Sequence, residues 1–165
     1  MVMLKWAAGF AATMLLIAPR AEAQDSSARL TIAGGPHAGT YELAHGHCSA
    51  VDNSIVAMFT PRLAGQAAGQ NGLESIKLYT EPGKGKPDGL SLSAEFHAKS
   101  GKTVVYEIYA IPAELGGPGG KTRPKGRGSV TVQSGGTGSS AAFRGQTAAG
   151  VRMEGSVKCD KPSSQ

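Results

Sequence analysis

Two closely spaced histidines are the first candidate for chemistry in this sequence. His45 and His47 are separated by one glycine within an extended run at residues 40–51. Residues two apart in a β-strand project from the same face, and imidazole nitrogens are common ligands of zinc and copper. The spacing therefore suggests a copper or zinc site in which His37 or His97 adds a further ligand. The alternative is a packed or solvent-exposed pair of histidines that binds no metal.

A basic cluster is the second candidate. Lys121, Arg123, Lys125 and Arg127 alternate with Thr, Pro and Gly inside an irregular segment at residues 112–128. Prolines and glycines keep such a segment extended and solvated. Its charge could attract anionic lipid headgroups, lipopolysaccharide phosphates or cell-wall polymers. The alternative is a solvated surface loop without a partner, and the same choice applies to the loop at residues 81–89.

Motifs for catalysis are lacking. The chain has no G-x-S-x-G sequence, which serine hydrolases of the α/β class use to expose the nucleophile. Gly120-Lys121-Thr122 does not complete a phosphate-binding loop, because the required glycine at position 115 is Leu115. The glutamates fall mostly on strand faces expected to be solvated, and nothing singles out a pair for glycoside hydrolysis. A non-catalytic function is therefore favoured.

The elements that must position these residues are short strands. In the closing stretch, residues 150–159, Val151, Met153, Val157 and Cys159 alternate with charged or polar residues. This period of two gives a strand one apolar and one solvated face. With this closing stretch, similar runs predict nine strands in all. They lie at residues 29–33, 40–51, 54–59, 73–79, 90–97, 103–111, 129–133, 140–144 and 150–159.

The pattern predicts an all-β fold. No helical period of useful length follows residue 23. Eight or nine short strands joined by glycine-rich turns are typical of an antiparallel β-sandwich, immunoglobulin-like or jelly-roll-like. A closed barrel is the alternative. The runs at 90–97 and 103–111 should form a hairpin, and the last three strands a meander.

The alternation of inward and outward residues is not consistent along residues 40–51. Tyr41 and Leu43 lie on one face, and Cys48 lies on the other. All three are residues expected in a core. A bulge near Gly46 would shift the phase by one residue and bring Cys48 inward, so we predict an irregularity there.

The cysteine count predicts a single disulfide. Cys48 and Cys159 are the only two cysteines in the chain. Paired cysteines in an exported protein are usually oxidised. A Cys48–Cys159 bond would join the two ends of the domain. In the chain-entropy model, closing this loop would stabilise the fold by roughly 4–5 kcal/mol.

The N-terminus predicts export. Lys5 precedes an apolar stretch at residues 6–18, Pro19 ends it, and an A-x-A pattern ends at Ala23. This order is typical of a signal peptide cleaved after Ala23, and the stretch is too short for a spanning helix, which needs about 20 apolar residues. We therefore predict a signal peptide at residues 1–23, a single domain at 24–165, and a periplasmic or secreted location with no transmembrane segment after cleavage.

The charge excludes one class of partner. The chain carries a formal net charge of +5, with few aromatic residues. Its basic residues are scattered, whereas nucleic-acid binders concentrate them on one surface. We therefore expect no nucleic-acid partner, and an anionic component of the cell envelope or another protein instead.

The C-terminal third resembles a known class of exported proteins. The SVTV strand at residues 129–132 and the terminal GSVKC at residues 155–159 are similar to the closing strands of small exported bacterial antigens of the mycobacterial lipoprotein type. The resemblance implies an exported, disulfide-closed β-sandwich and brings no catalytic residues. This chain departs from the class because no cysteine for lipidation stands at the signal junction.

Three functions follow from these observations. The first is a non-catalytic binding module of the bacterial cell envelope. The second is a periplasmic copper- or zinc-binding protein that uses His45 and His47. The third, which the sequence does not separate from the first, is a structural or antigenic surface protein without a small ligand.

Overall fold

The structure consists of two antiparallel sheets. It is a computed structural model and describes residues 26–51, 53–62, 69–83, 88–98, 100–112, 125–135 and 138–160. The terminal sheet has the order β2-β1-β10-β9-β8, and the middle sheet has the order β3-β4-β5-β6-β7. The strands are β1 (Ser27–Ala33), β2 (Gly39–Ala44), β3 (His47–Val51), β4 (Ser54–Phe59), β5 (Leu73–Glu81), β6 (Gly89–His97), β7 (Thr103–Ala110), β8 (Arg127–Gly135), β9 (Gly138–Gln146) and β10 (Arg152–Asp160).

The predicted β-sandwich is confirmed. Its strands form where apolar and polar residues alternate along the sequence. In β10, Met153, Val157 and Cys159 are buried while the charged residues between them are exposed. The same alternation appears in β6, whose apolar residues are fully buried. Since each sheet turns one apolar face toward the other, the core lies between them.

The core is built by both sheets. Its large, fully buried side chains come from strands throughout the chain, so the two sheets bury one another and neither forms a core alone. They are Tyr41, Phe59, Phe96, Leu30, Ile32, Ile55, Ile76, Leu90, Leu92, Ile108, Met153 and Val157.

The connectivity is a meander that closes on itself. Strands paired within each sheet are consecutive in the chain, except that β1 pairs with β10, from Ser27 opposite Lys158 to Ala33 opposite Arg152. The predicted β6–β7 hairpin and the predicted meander of the last three strands are both confirmed. The chain crosses from one sheet to the other at the β2–β3 and β7–β8 connections.

A corner at His45 and Gly46 explains why there are ten strands and not eight or nine. The predicted single run at residues 40–51 is two strands in different sheets. His45 adopts a left-handed backbone conformation, with φ of 58°, and its N–H donates to the Ser26 carbonyl at 2.8 Å. The predicted irregularity near Gly46 is therefore a turn from one sheet to the other, as in sandwiches whose strands bend across corners.

The predicted disulfide is confirmed. Cys48 on β3 is bonded to Cys159 on β10, with a Cα–Cα distance of 5.3 Å. The bond joins the middle sheet to the terminal sheet directly after the corner. The predicted signal peptide, residues 1–23, lies outside the described residues. Within the described part of the chain, no helix has the length and apolar character needed to cross a membrane.

Candidate functional site

The structure separates the two histidines of the predicted metal pair. His45 lies in the corner after β2 and borders a depression on the outer face of the terminal sheet, near Glu42 and Lys158. His47 begins β3 and borders a groove on the outer face of the middle sheet. The expectation that they share one face of one strand is wrong, because the chain changes sheets between them.

His37 is a core residue. It is only 9% exposed, its ring stacks on Phe96 with centroids 4.3 Å apart, and its Nδ1 lies 3.0 Å from the Tyr106 hydroxyl. The Tyr41 hydroxyl donates to the His37 carbonyl at 2.7 Å. Burial raises the pKa of the Tyr106 phenol, so Tyr106 stays neutral. These contacts hold the β1–β2 connection against the middle sheet.

His97, the fourth histidine, lies at the end of β6. Its Nδ1 is 3.4 Å from a carboxylate oxygen of Glu74. Within the described ranges, no three His, Cys, Asp or Glu side chains are grouped so that they could hold a metal ion. The copper or zinc site at these histidines therefore stays a prediction.

The basic cluster is described only in part. Lys121 and Arg123 lie outside the described residues, as do residues 84–87 of the loop at 81–89 and most of the loop at 112–128. Lys125 forms a salt bridge with Glu107 at 3.0 Å, and an Arg127 nitrogen donates to the Gln146 side chain at 2.8 Å. Two of the four basic residues therefore already have partners on neighbouring strands.

A cleft on the outer face of the middle sheet is the best candidate for a site. We call it the outer cleft, and its volume is about 720 Å³. This is within the range of small-molecule sites, roughly 300–1,000 Å³. The residues that line it are Met58, Thr60, Pro61, Arg62, Gly72, Leu73, Glu74, Ser75, Lys77, Glu95, His97, Ala98 and Gly101.

A β-bulge shapes the outer cleft. Leu73 pairs with Phe96, but the next pair is Ser75 with Glu95, so Glu74 is an extra residue in β5. A bulge changes the direction of side chains and is frequent beside functional sites. Here it leaves Glu74 exposed at the rim and buries the next two residues, Ser75 and Ile76.

A hydrogen-bonded network forms the polar floor of the outer cleft. The Ser75 hydroxyl donates to Glu95 Oε2 at 3.0 Å, and Lys77 Nζ donates to Glu95 Oε1 at 2.7 Å. The hydrogen bond from Lys77 is the main cause that lowers the pKa of the Glu95 carboxyl, while partial burial opposes it and Ser75 assists. Glu95 is therefore a fixed anion with both oxygens engaged.

Apolar surface lies beside this network. Met58 is 40% exposed and belongs both to the outer cleft and to the neighbouring groove, which also contains Val56, 53% exposed. Leu73 and Pro61 add apolar surface to the cleft wall. The outer cleft therefore combines apolar walls with a few oriented polar groups, the combination found in sites for small ligands.

The polar residues do not form a hydrolytic triad. Serine, histidine and glutamate occur together in the outer cleft, and these are the residue types of such triads. However, the Ser75 hydroxyl donates to Glu95 and not to His97, and Ser75 is only 5% exposed. A nucleophile must be activated by a base and must reach its substrate. Ser75 is therefore not arranged as the nucleophile of such a triad.

The outer cleft was not among the sites predicted above, although the sequence carries a signal for its bulge. In the run at residues 73–79, Leu73 and Ile76 are three residues apart, while Ile76 and Leu78 are two apart. A spacing of three inside a period of two indicates an inserted residue, which is the bulge. Alternation alone instead predicts that the glutamates lie on solvated faces, and it does not bring Glu74 and Glu95 together.

Comparisons with known proteins add no relative. No protein-family model matches the chain, and no significant match is found among curated proteins or among solved structures.

Proposed function

We propose that this chain is a non-catalytic binding module of the bacterial cell envelope, exported to the periplasm or beyond, and that the outer cleft is its ligand site. The observation that carries this proposal is the outer cleft itself. It joins exposed apolar surface at Met58 to a polar floor whose groups are already oriented by the Ser75–Glu95–Lys77 network. Side chains oriented before binding lose less conformational freedom when a ligand arrives.

The scaffold supports this function. Met58 and the polar floor of the cleft lie on β4, β5 and β6, which are neighbouring strands of the middle sheet, and Arg62 lies three residues after the end of β4. Residues held on paired strands are positioned more reproducibly than residues on loops. Export rests on the sequence of residues 1–23 and on the disulfide, which is typical of oxidising compartments.

The predicted anionic partner remains part of the proposal. Lys121 and Arg123, together with the salt-bridged Lys125 and the hydrogen-bonded Arg127, could add electrostatic attraction to an envelope surface. Reversal of all four charges tests this contact separately, because the cluster is distinct from the residues of the outer cleft. Unchanged envelope association after the reversal would remove the basic cluster from the proposal.

The binding proposal is tested with the mature chain and a detergent-solubilised envelope fraction. Hydrogen exchange followed by mass spectrometry should show protection at residues 58–62, 72–77 and 95–98. Met58→Glu should abolish this protection, because it places a charge on the apolar wall. Val105→Glu is the matched control, since Val105 is 52% exposed on the same sheet and outside the cleft. Absence of protection at these segments, or equal effects of both variants, would contradict the proposal.

Export and metal content are tested on the same exported sample. The mature protein should begin at Gln24 and should accept alkylation at both cysteines only after reduction. Metal analysis addresses the copper or zinc alternative directly. One equivalent of either metal, lost when His45 and His47 are changed to Ala, would favour that alternative over the binding module.

A further inference from the structure

We propose that the outer cleft selects a small amphipathic anion, that is, a molecule with an apolar body and one carboxylate or phosphate group. This inference rests on the proposed function and specifies the class of ligand. It is derived from the balance of charges in the cleft, from the position of Arg62, and from the apolar wall at Met58.

The charges of the outer cleft do not favour a cation. Among the described residues that line it, Glu74 and Glu95 are acidic, and Arg62, Lys77 and His97 are basic. With His97 neutral, two cations balance two carboxylates. With His97 protonated, the cleft carries one excess positive charge. Since the cleft is not negative in either state, it offers a cationic ligand no net attraction.

Arg62 supplies the anchor for the anion. Glu95 is bonded to Lys77 and Ser75, and Glu74 faces His97. Among the residues that the structure describes, Arg62 is the charged group of the cleft without an ion-pair partner. A guanidinium binds carboxylates and phosphates through two parallel hydrogen bonds, so Arg62 is available for such a group.

The apolar part of the ligand has a defined place. Met58 is exposed and lines the same cleft as Arg62, and the groove that shares Met58 extends along Val56. Methionine side chains adapt to apolar ligands of different shapes. An alkyl or similar chain could therefore lie from the outer cleft into the groove while its anionic end contacts Arg62.

The probes are three single-chain amphiphiles, each used below its micelle-forming concentration. Decanoate and decyl phosphate carry the two anionic groups, and decyltrimethylammonium carries a cation of the same chain length. Calorimetric titration should give affinities for both anions at least about tenfold higher than for the cation. Amide chemical shifts locate the binding, and they should change at residues 58, 62, 74–77 and 95–98.

Matched arginine variants test the anchor. Arg62→Gln should weaken decanoate binding by about tenfold, while binding of the cation should change little. Arg152→Gln is the control, because Arg152 is exposed on the terminal sheet.

The outcomes separate this inference from the proposed function. Equal affinities for anions and cation at the cleft would overturn the ligand class but leave the cleft as a binding site. Unchanged decanoate binding in Arg62→Gln would overturn the anchor. If no probe shifts the cleft resonances while an envelope fraction still protects the cleft, the amphiphile class is wrong and the proposed function stands. If neither the probes nor the envelope fraction act at the cleft, both are wrong.

Discussion

At the scale of single residues, small changes in side-chain size decide where the backbone can go. Gly46 lies in the corner between the sheets, where a Cβ atom would overlap the ring of Phe59. Phe59 is completely buried and closely packed side chains do not move freely. The corner can therefore pass over Phe59 only because residue 46 lacks a side chain, and this close approach allows β2 to continue into the other sheet as β3.

Gly46→Ala tests this close approach. We expect the substitution to lower the free energy of unfolding by about 1–3 kcal/mol, because the new methyl group must displace Phe59 or the corner. Gly135→Ala is the control, since among the described residues a Cβ there would meet the Gly138 carbonyl oxygen at an ordinary 3.6 Å. Urea unfolding of both variants measures the difference. Equal stability of the two would show that the corner is not constrained by Phe59.

At the scale of elements, the bulge in β5 and its pairing with β6 create the outer cleft. Ser75 and Lys77 on β5 both donate to Glu95 on β6. Cross-strand polar pairs of this kind stabilise a sheet modestly, each by roughly 0.2–1 kcal/mol. Their larger effect is to fix the direction of three side chains at once, which gives the cleft a defined floor.

The pH dependence of stability tests the Glu95 network. The pKa of Glu95 in the folded chain is below its ordinary value of 4.5, so the unfolded chain binds this proton first as the pH falls. The contribution of Glu95 to stability is therefore complete above about pH 4.5 and is lost as the pH falls from there through the lower folded pKa. Urea unfolding between about pH 7 and about pH 3 should record this loss.

Glu95→Gln should flatten the acid part of that stability profile. The amide cannot titrate, so the loss assigned to Glu95 should disappear. Glu154→Gln is the matched control, because Glu154 is exposed on the terminal sheet. An identical acid dependence in Glu95→Gln and in the native chain would contradict the network as described.

At the scale of the whole molecule, the two ends of the chain close the fold. β1 and β10 pair along seven residues in the terminal sheet, and the disulfide links β10 to β3 across the sandwich. Contacts between residues so distant in the sequence require a large loop to close before they can form. A covalent link between Cys48 and Cys159, 111 residues apart, removes much of that cost from folding.

Replacement of both cysteines by alanine measures this contribution. Cys48→Ala with Cys159→Ala should lower the free energy of unfolding by about 4–5 kcal/mol on the loop-entropy model, less any effect of residual structure in the unfolded chain. Chemical unfolding with and without reductant is the measurement. The native chain should become less stable when reduced, whereas the variant should not respond to reductant; a native chain that ignores reduction would contradict the expected role.

The sequence by itself determined the class of fold, the positions of most strands, the β6–β7 hairpin and the cysteine pair. These features are local or unambiguous: alternation of period two is set within a single strand, and two cysteines allow one intramolecular disulfide. The tertiary structure alone decided that His45 and His47 belong to different sheets, because a break in alternation at Gly46 fits a bulge within one strand as well as a corner between two sheets. The tertiary structure also decided where the outer cleft lies. Its lining comes from separate segments that meet only through strand pairing and a bulge, as Met58, Arg62, Glu74 and Glu95 do.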